Sequence, residues 1–132
     1  MSESLPERLT LIFDGSCDFC TRTVRWLRLL DRGARIAAVP FQQPAAPESA
    51  GLTIGDCEQA VWAYAADGPR YRGAGAVNAA LAVALGTPLP LWVYLLPGVR
   101  QLQDYVYALV ARNRHHIPGD QPHCEQHPED CR

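Results

Sequence analysis

The sequence predicts an α/β fold: a β-α-β unit, then a β-β-α unit, on one mixed four-stranded sheet, with two additional C-terminal helices. Three observations carry this prediction. Two short apolar runs, Arg8 to Phe13 and Arg35 to Val39, flank a stretch of helical period across short links. Such a unit is expected to be parallel and right-handed. A further apolar run, Ala60 to Ala66, ends in the hairpin dipeptide Asp67-Gly68, and "PRYRG" returns from it. Three helix-like stretches then follow, separated at Gly86 and at Pro97-Gly98.

Each element has a local reason. "RLTLIF" reads as a buried strand and "DGSC" as the turn leaving it. From Asp18 to Asp31 the period is helical. Phe19, Cys20, Val24, Trp26, Leu27 and Leu30 share one arc, and Arg22, Arg25, Arg28 and Arg32 the other, with Leu29 the exception. Gly33 is placed to end this helix as a C-cap glycine. Pro40 stops the second strand, and residues 42–58 read as loop with at most one short helical turn. "AGAVNAALAVALG" is a small-residue helix able to sit close to a sheet. Thr87 and Pro88 predict an N-cap and first helical position for a short helix through Leu96. Val99 to Arg114 predicts a last amphipathic helix with Val99, Leu102, Val106, Leu109 and Val110 inward. The order is thioredoxin-like, in a single domain with its core at about residues 8–114. The polar stretch 115–132 is expected to be a loosely held tail.

At 132 residues, 48% apolar and 20% charged, the chain can bury a core without cross-links. A net charge of -2 gives no indication of a nucleic-acid or anionic-membrane partner. "MSESLPERL" has no apolar stretch to act as a secretory signal. The apolar region from Ala74 to Leu96 is broken by Asn78, Gly86, Pro88 and Pro90, which favours two soluble helices over a span. A cytoplasmic location is expected. Five cysteines, an odd number in a reducing compartment, do not suggest a disulfide scaffold.

Cys17 and Cys20, two residues apart at the strand-to-helix junction, are the chemical signal. Cys17 falls at the first helical turn, where free backbone N–H groups and the helix dipole stabilise a thiolate. Cys20 returns to the same side one turn deeper. This spacing lets Cys17, the exposed nucleophile in this reading, attack a disulfide and Cys20 resolve the mixed disulfide. The dithiol itself carries two electrons, so no cofactor is expected. The alternative is a zinc module using Cys17, Cys20, Cys124 and Cys131, with His123 and His127 as substitutes. A non-catalytic binding domain that keeps the fold is the other alternative.

"DGSCDFC", Asp14 to Cys20, resembles the D-G-x-C-x-x-C signature of the DCC family of predicted thiol-disulfide oxidoreductases. "IFDG", the "R-x-L…D" run, "VPFQ" (Val39 to Gln42) and "LVARNR" (Leu109 to Arg114) are similar too, so the resemblance spans about residues 9 to 114. It implies a thioredoxin-like fold, a dithiol-disulfide activity, and site roles for Asp14, Cys17 and Cys20. The partners implied are a protein or small-molecule disulfide or thiol, and a reductant or oxidant that recycles the pair.

Asp14 reads as a proton acceptor or electrostatic regulator of Cys17, or equally as a cap of the following turn. Pro40, Phe41 and Gln42 follow a parallel strand and should lie near the pair, as substrate contacts or as a strand-ending turn. Cys57 precedes the third strand at about the place where thioredoxins carry a cis-proline. It is expected beside Cys17, as an auxiliary thiol or a buried bystander. The arginine stripe reads as a solvated helix face or an attractor for an acidic partner. Trp62, Tyr64 and Trp92 read as core or partly buried aromatics, and His115 and His116 as exposed.

Overall fold

The computed structural model describes residues 8–65 and 70–131. The hairpin dipeptide Asp67-Gly68 lies outside the described residues. The strands are β1 (Leu9–Phe13), β2 (Ile36–Pro40), β3 (Trp62–Tyr64) and β4 (Arg70–Arg72). The helices are α1 (Asp18–Leu30), α2 (Ala46–Ser49), α3 (Ile54–Gln59), α4 (Ala74–Leu85), α5 (Leu89–Tyr94), α6 (Val99–Asn113) and α7 (His123–Gln126). Single 3-10 turns sit at Arg114–His116 and Pro128–Asp130.

The sheet order is β2-β1-β3-β4. β1 pairs parallel with β2 in the register Leu9↔Ile36 to Phe13↔Pro40, and β3 pairs antiparallel with both β1 and β4. This is the expected mixed, thioredoxin-like sheet. Pro40 is the last residue of β2 rather than the residue that stops it.

The main core joins Leu9, Leu11 and Phe13 of β1, Val24 and Leu27 of α1, and an alanine-rich face of α4. Small side chains let α4 approach the sheet closely, which is why nearly the whole helix is buried. A second cluster, Ile12, Leu52 and Cys57, forms on the opposite sheet face with Phe41 and Trp62 against it.

Several expectations need correction. α1 has the expected extent, but its C-cap is Asp31, not Gly33. The buried Asp31 carboxylate accepts from the Arg35 and Ile36 amides, each at 2.9 Å, so a side chain ties the helix end to β2. The segment 42–58 holds two short helices. α3 begins in a capping box, Thr53 Oγ1 accepting from the Asp56 amide while Asp56 accepts from the Thr53 amide. α5 starts one residue late, with the Thr87 hydroxyl accepting from the Leu89 amide. Trp62 and Tyr64 are half-buried, but Trp92 is 60% exposed. His116 is exposed as expected, and the His115 side chain lies outside the described set.

The expected inner face of α6 holds in part: Val99, Leu109 and Val110 are half-buried, but Leu102 and Val106 point outward at 62% and 47% exposure. Gln103, Tyr107 and Arg114 turn inward because each has a polar partner there. Asn78 Nδ2 donates to Gln103 Oε1 at 2.6 Å, and the Val61 amide donates to the Tyr107 hydroxyl at 2.9 Å. Hydrophobic periodicity is blind to such partners.

Candidate active site

The site grows from the reversal between β1 and α1. Asp14-Gly15-Ser16 turns the backbone, and the Cys17 amide donates to the Asp14 carbonyl at 3.2 Å. Asp14 is buried. One carboxylate oxygen accepts from the Ser16 amide at 2.9 Å and from Gln42 Nε2 at 2.8 Å. The other pairs with Arg114 Nη2 at 3.0 Å. Gln42 closes the turn from beyond β2, its Oε1 accepting the Gly15 amide at 3.0 Å. Asp14 therefore caps the turn, and its charge is balanced by the half-buried Arg114 guanidinium.

Cys17 is the N-cap of α1. Its backbone is extended (φ -106°, ψ 124°), and its Sγ accepts from the Cys20 amide at 3.2 Å. A sulfur stands where a Ser or Asp oxygen usually caps a helix, so the unpaired N–H groups of the first turn face it. Cys17 is lowered from an ordinary 9.0 to about 7. The main cause is hydrogen bonding from the Cys20 side chain, with the Cys20 amide and the Arg114 charge assisting against burial and Asp14. Cys20 is driven the opposite way, far above its ordinary range, by its hydrogen bond to Cys17 and by burial. The pair is thus polarised: one sulfur ionises near neutrality and the other holds its proton.

Exposure corrects the expected geometry. Cys17, expected as the exposed nucleophile, is 0% exposed, whereas Cys20 is half-buried. Cys20 borders an apolar cavity of about 620 Å³ lined by Phe19, Trp26, Val110, Tyr107 and Arg114 among others.

The remaining expected residues separate. Gln42 belongs to the turn, and Pro40 packs against Gly15, where an added Cβ would stand 2.7 Å from Pro40 Cβ. Phe41 packs on the second core cluster instead. Cys57 is buried in that cluster and also borders the cavity. Burial, with Asp56 and Glu48, pushes its thiol up to about 11. It lies on α3, not in a loop, and no cis peptide occurs among the described residues.

The C-terminal tail is the largest correction. It is seated on the first turns of α1 rather than loosely held. The Cys124 amide donates to the Gly15 carbonyl at 2.9 Å, the His123 amide to Thr21 Oγ1 at 3.1 Å, and the Asp120 amide to the Asp18 carbonyl at 3.2 Å. Arg25 and Arg22 reach Asp120 at 3.0 and 3.4 Å, so half of the arginine stripe meets an acid of its own chain. The His123 ring stands edge-on to Phe13 at 5.5 Å. Cys124 and Cys131 are joined as a disulfide across a short local loop. Two of the four thiolates required by the zinc alternative are thereby bonded to each other. One local bridge is not a disulfide scaffold, and Cys17, Cys20 and Cys57 remain free thiols.

Arg114 is the site residue that residue-by-residue reading did not nominate. Besides Asp14, its guanidinium reaches Cys20 Sγ at 3.7 Å and the Glu58 carbonyl at 3.4 Å. Its signal was the "LVARNR" run at the end of the last long helix, noted for its resemblance but given no role.

A family model described as DCC1-like thiol-disulfide oxidoreductase matches residues 11–120. No curated protein and no solved structure matches the chain. Among the described residues, no helix is long and apolar enough to cross a membrane.

Proposed function

The chain belongs to the DCC1-like thiol-disulfide oxidoreductase family, and from that premise we propose that it exchanges disulfides through Cys17 and Cys20. The carrying observation is the polarised pair: Cys17 as a helix N-cap lowered to about 7, beside a Cys20 that keeps its proton. In reduction, the Cys17 thiolate attacks one sulfur of a substrate disulfide. A Cys17–substrate bond forms, and the electron pair of the broken bond leaves on the other sulfur. Cys20 gives up its proton and attacks Cys17 Sγ, releasing the second substrate thiolate. Two electrons pass to substrate and a Cys17–Cys20 disulfide remains. The reverse sequence oxidises a dithiol. Arg114 acts as a positioning residue: it balances Asp14, whose charge raises Cys17, and presents positive charge to whichever sulfur is ionised. The substrate is a protein or small-molecule disulfide, approaching along the cavity that borders Cys20, and an external thiol recycles the pair.

The test is turnover of glutathione disulfide and of a peptide disulfide with a thiol reductant. Wild-type protein should turn over repeatedly, Cys17→Ser should be inactive, and Cys20→Ser should stop at a mixed disulfide on Cys17. Wild-type turnover rates in Cys17→Ser would defeat the proposal.

A further inference from the structure

We propose that the Cys124–Cys131 disulfide is a second redox site of this chain, which accepts two electrons directly from the Cys17–Cys20 dithiol. The inference rests on the reading of that dithiol as an exchanging pair. It starts from a conflict in the geometry. The sulfur that ionises near neutrality, Cys17, is closed to solvent, and the more accessible Cys20 holds its proton. An enzyme serving only disulfides in bulk solution would present its nucleophile. What this chain places against the turn bearing Cys17 is a disulfide of its own.

The placement is specific. Cys124 is hydrogen-bonded through its amide to Gly15, two residues before Cys17. A Cβ on Gly15 would stand 2.7 Å from Cys124 Sγ, so this sulfur packs against the bare face of that glycine. Gly119 lies so close to α1 that a Cβ there would collide with the Asp18 carbonyl. Asp120 is held by Arg22 and Arg25, and His123 by Thr21. These contacts fall on either side of Cys17 in sequence, at positions 15, 18, 21, 22 and 25. Tethering of this kind gives an exchange partner an effective concentration of about millimolar or more.

The step balances within the chain. The Cys17 thiolate attacks Cys124 Sγ, a Cys17–Cys124 bond forms, and the Cys124–Cys131 bond breaks. Its electron pair leaves on Cys131, which takes a proton from water. Cys20, deprotonated in turn, attacks Cys17 Sγ, forms the Cys17–Cys20 disulfide, and releases Cys124 as a thiolate. One dithiol is oxidised and one disulfide reduced. No outside oxidant enters.

Removing the resolving thiol should trap the intermediate. Full-length Cys20→Ser, with Cys20→Ala as a second variant, is purified without reductant, acid-quenched, alkylated and peptide-mapped by mass spectrometry. A Cys17–Cys124 linkage with Cys131 free is expected, unchanged on dilution. In wild-type protein, glutathione should reduce Cys124–Cys131 at least ~10-fold faster than in Cys17→Ser, the margin a tethered thiol provides. An intact Cys124–Cys131 bridge beside a free Cys17 in both Cys20 variants, with equal reduction rates, overturns the relay. A glutathione disulfide challenge of those variants separates the two failures. An adduct on Cys17 leaves the exchange reading standing and removes only the relay. A Cys17 that reacts with neither partner removes both.

Discussion

Replacing Arg114 with alanine tests the electrostatics of the dithiol most directly. The side chain is 18% exposed, its Asp14 partner 8%, and they meet at 3.0 Å. Arg114 lowers Cys17 and Asp14 raises it, so loss of the guanidinium removes the first and leaves the second unbalanced, a change of about 1 pKa unit for a nearby charge. Cys17 should therefore titrate near ~8 instead of the present value of about 7. At pH 7 its thiolate fraction would fall ~5-fold, while the more basic thiolate becomes ~3-fold more nucleophilic, for a Brønsted slope of about 0.4–0.5. Alkylation at pH 7 should slow only ~2-fold, whereas near pH 9 the variant should react ~2–3-fold faster than wild type. The two pH–rate curves must cross. Altered access to Cys17 would displace a curve vertically but could not create a crossing. Ultraviolet thiolate absorbance gives the midpoint independently, because Cys57 at about 11 and the still higher Cys20 stay silent below pH 9. Parallel curves with an unmoved midpoint would falsify the assignment of Arg114 to Cys17.

Stability of the dithiol form should depend on pH in two directions. Cys17 is depressed in the folded state, so its contribution is present above the unfolded value of 9.0 and lost as pH falls through about 7. Cys20 and Cys57 are raised, so unfolding gains from their ionisation above 9.0; denaturant midpoints should rise from pH 7 to near 9 and fall beyond it. Absence of a rise between pH 7 and 8.5 would contradict the lowered Cys17. Gln42→Ala removes acceptor and donor from the Asp14–Cys17 turn and should cost about 1–2 kcal/mol in chemical denaturation. An unchanged midpoint would deny Gln42 its role as the clamp. Asp31→Ala strips the Arg35 and Ile36 amides of their charged acceptor and should cost about 2–3 kcal/mol, while Asp31→Asn, which keeps one acceptor oxygen, costs less. Equal losses for the two would show that only charge matters there.

The sheet and α1 were legible because their causes are local. Apolar runs bounded by turn residues define β1 and β2, and the cysteine spacing at a strand-helix junction defines the site. Two elements were misread for one physical reason. Glycine is the usual cap and points to Gly33 for α1, yet Asp31 is the cap and bonds to the Arg35 and Ile36 amides. Hydrophobic period puts Val99, Leu102, Val106, Leu109 and Val110 on the inner face of α6; Val99, Leu109 and Val110 are half-buried, whereas Leu102 and Val106 give way to Gln103, Tyr107 and Arg114. In both cases a polar side chain finds a hydrogen-bond partner outside its own helix. Composition and period cannot register a partner that lies 46 residues away, as Val61 does from Tyr107.

The tail carried the same lesson into the site itself. "HHIPGDQPHCEQHPEDCR" has no apolar period, so reading it as unanchored followed from the assumption that burial of apolar surface holds segments in place. What holds it is a different set of forces: backbone amides donating to Gly15 and Asp18, a carboxylate at Asp120 facing two arginines, and a covalent bond between its own cysteines. The charge pattern did contain the anchor, since a row of arginines on α1 calls for acid, and this tail is rich in acid. Individually exposed ion pairs contribute only about 0–1 kcal/mol each, so Asp120 alone does not fix the segment. Glycines at 15 and 119 matter as much, because a Cβ would meet the Cys124 sulfur at the first and the Asp18 backbone at the second. What seats this segment is thus small residues and amides rather than a core.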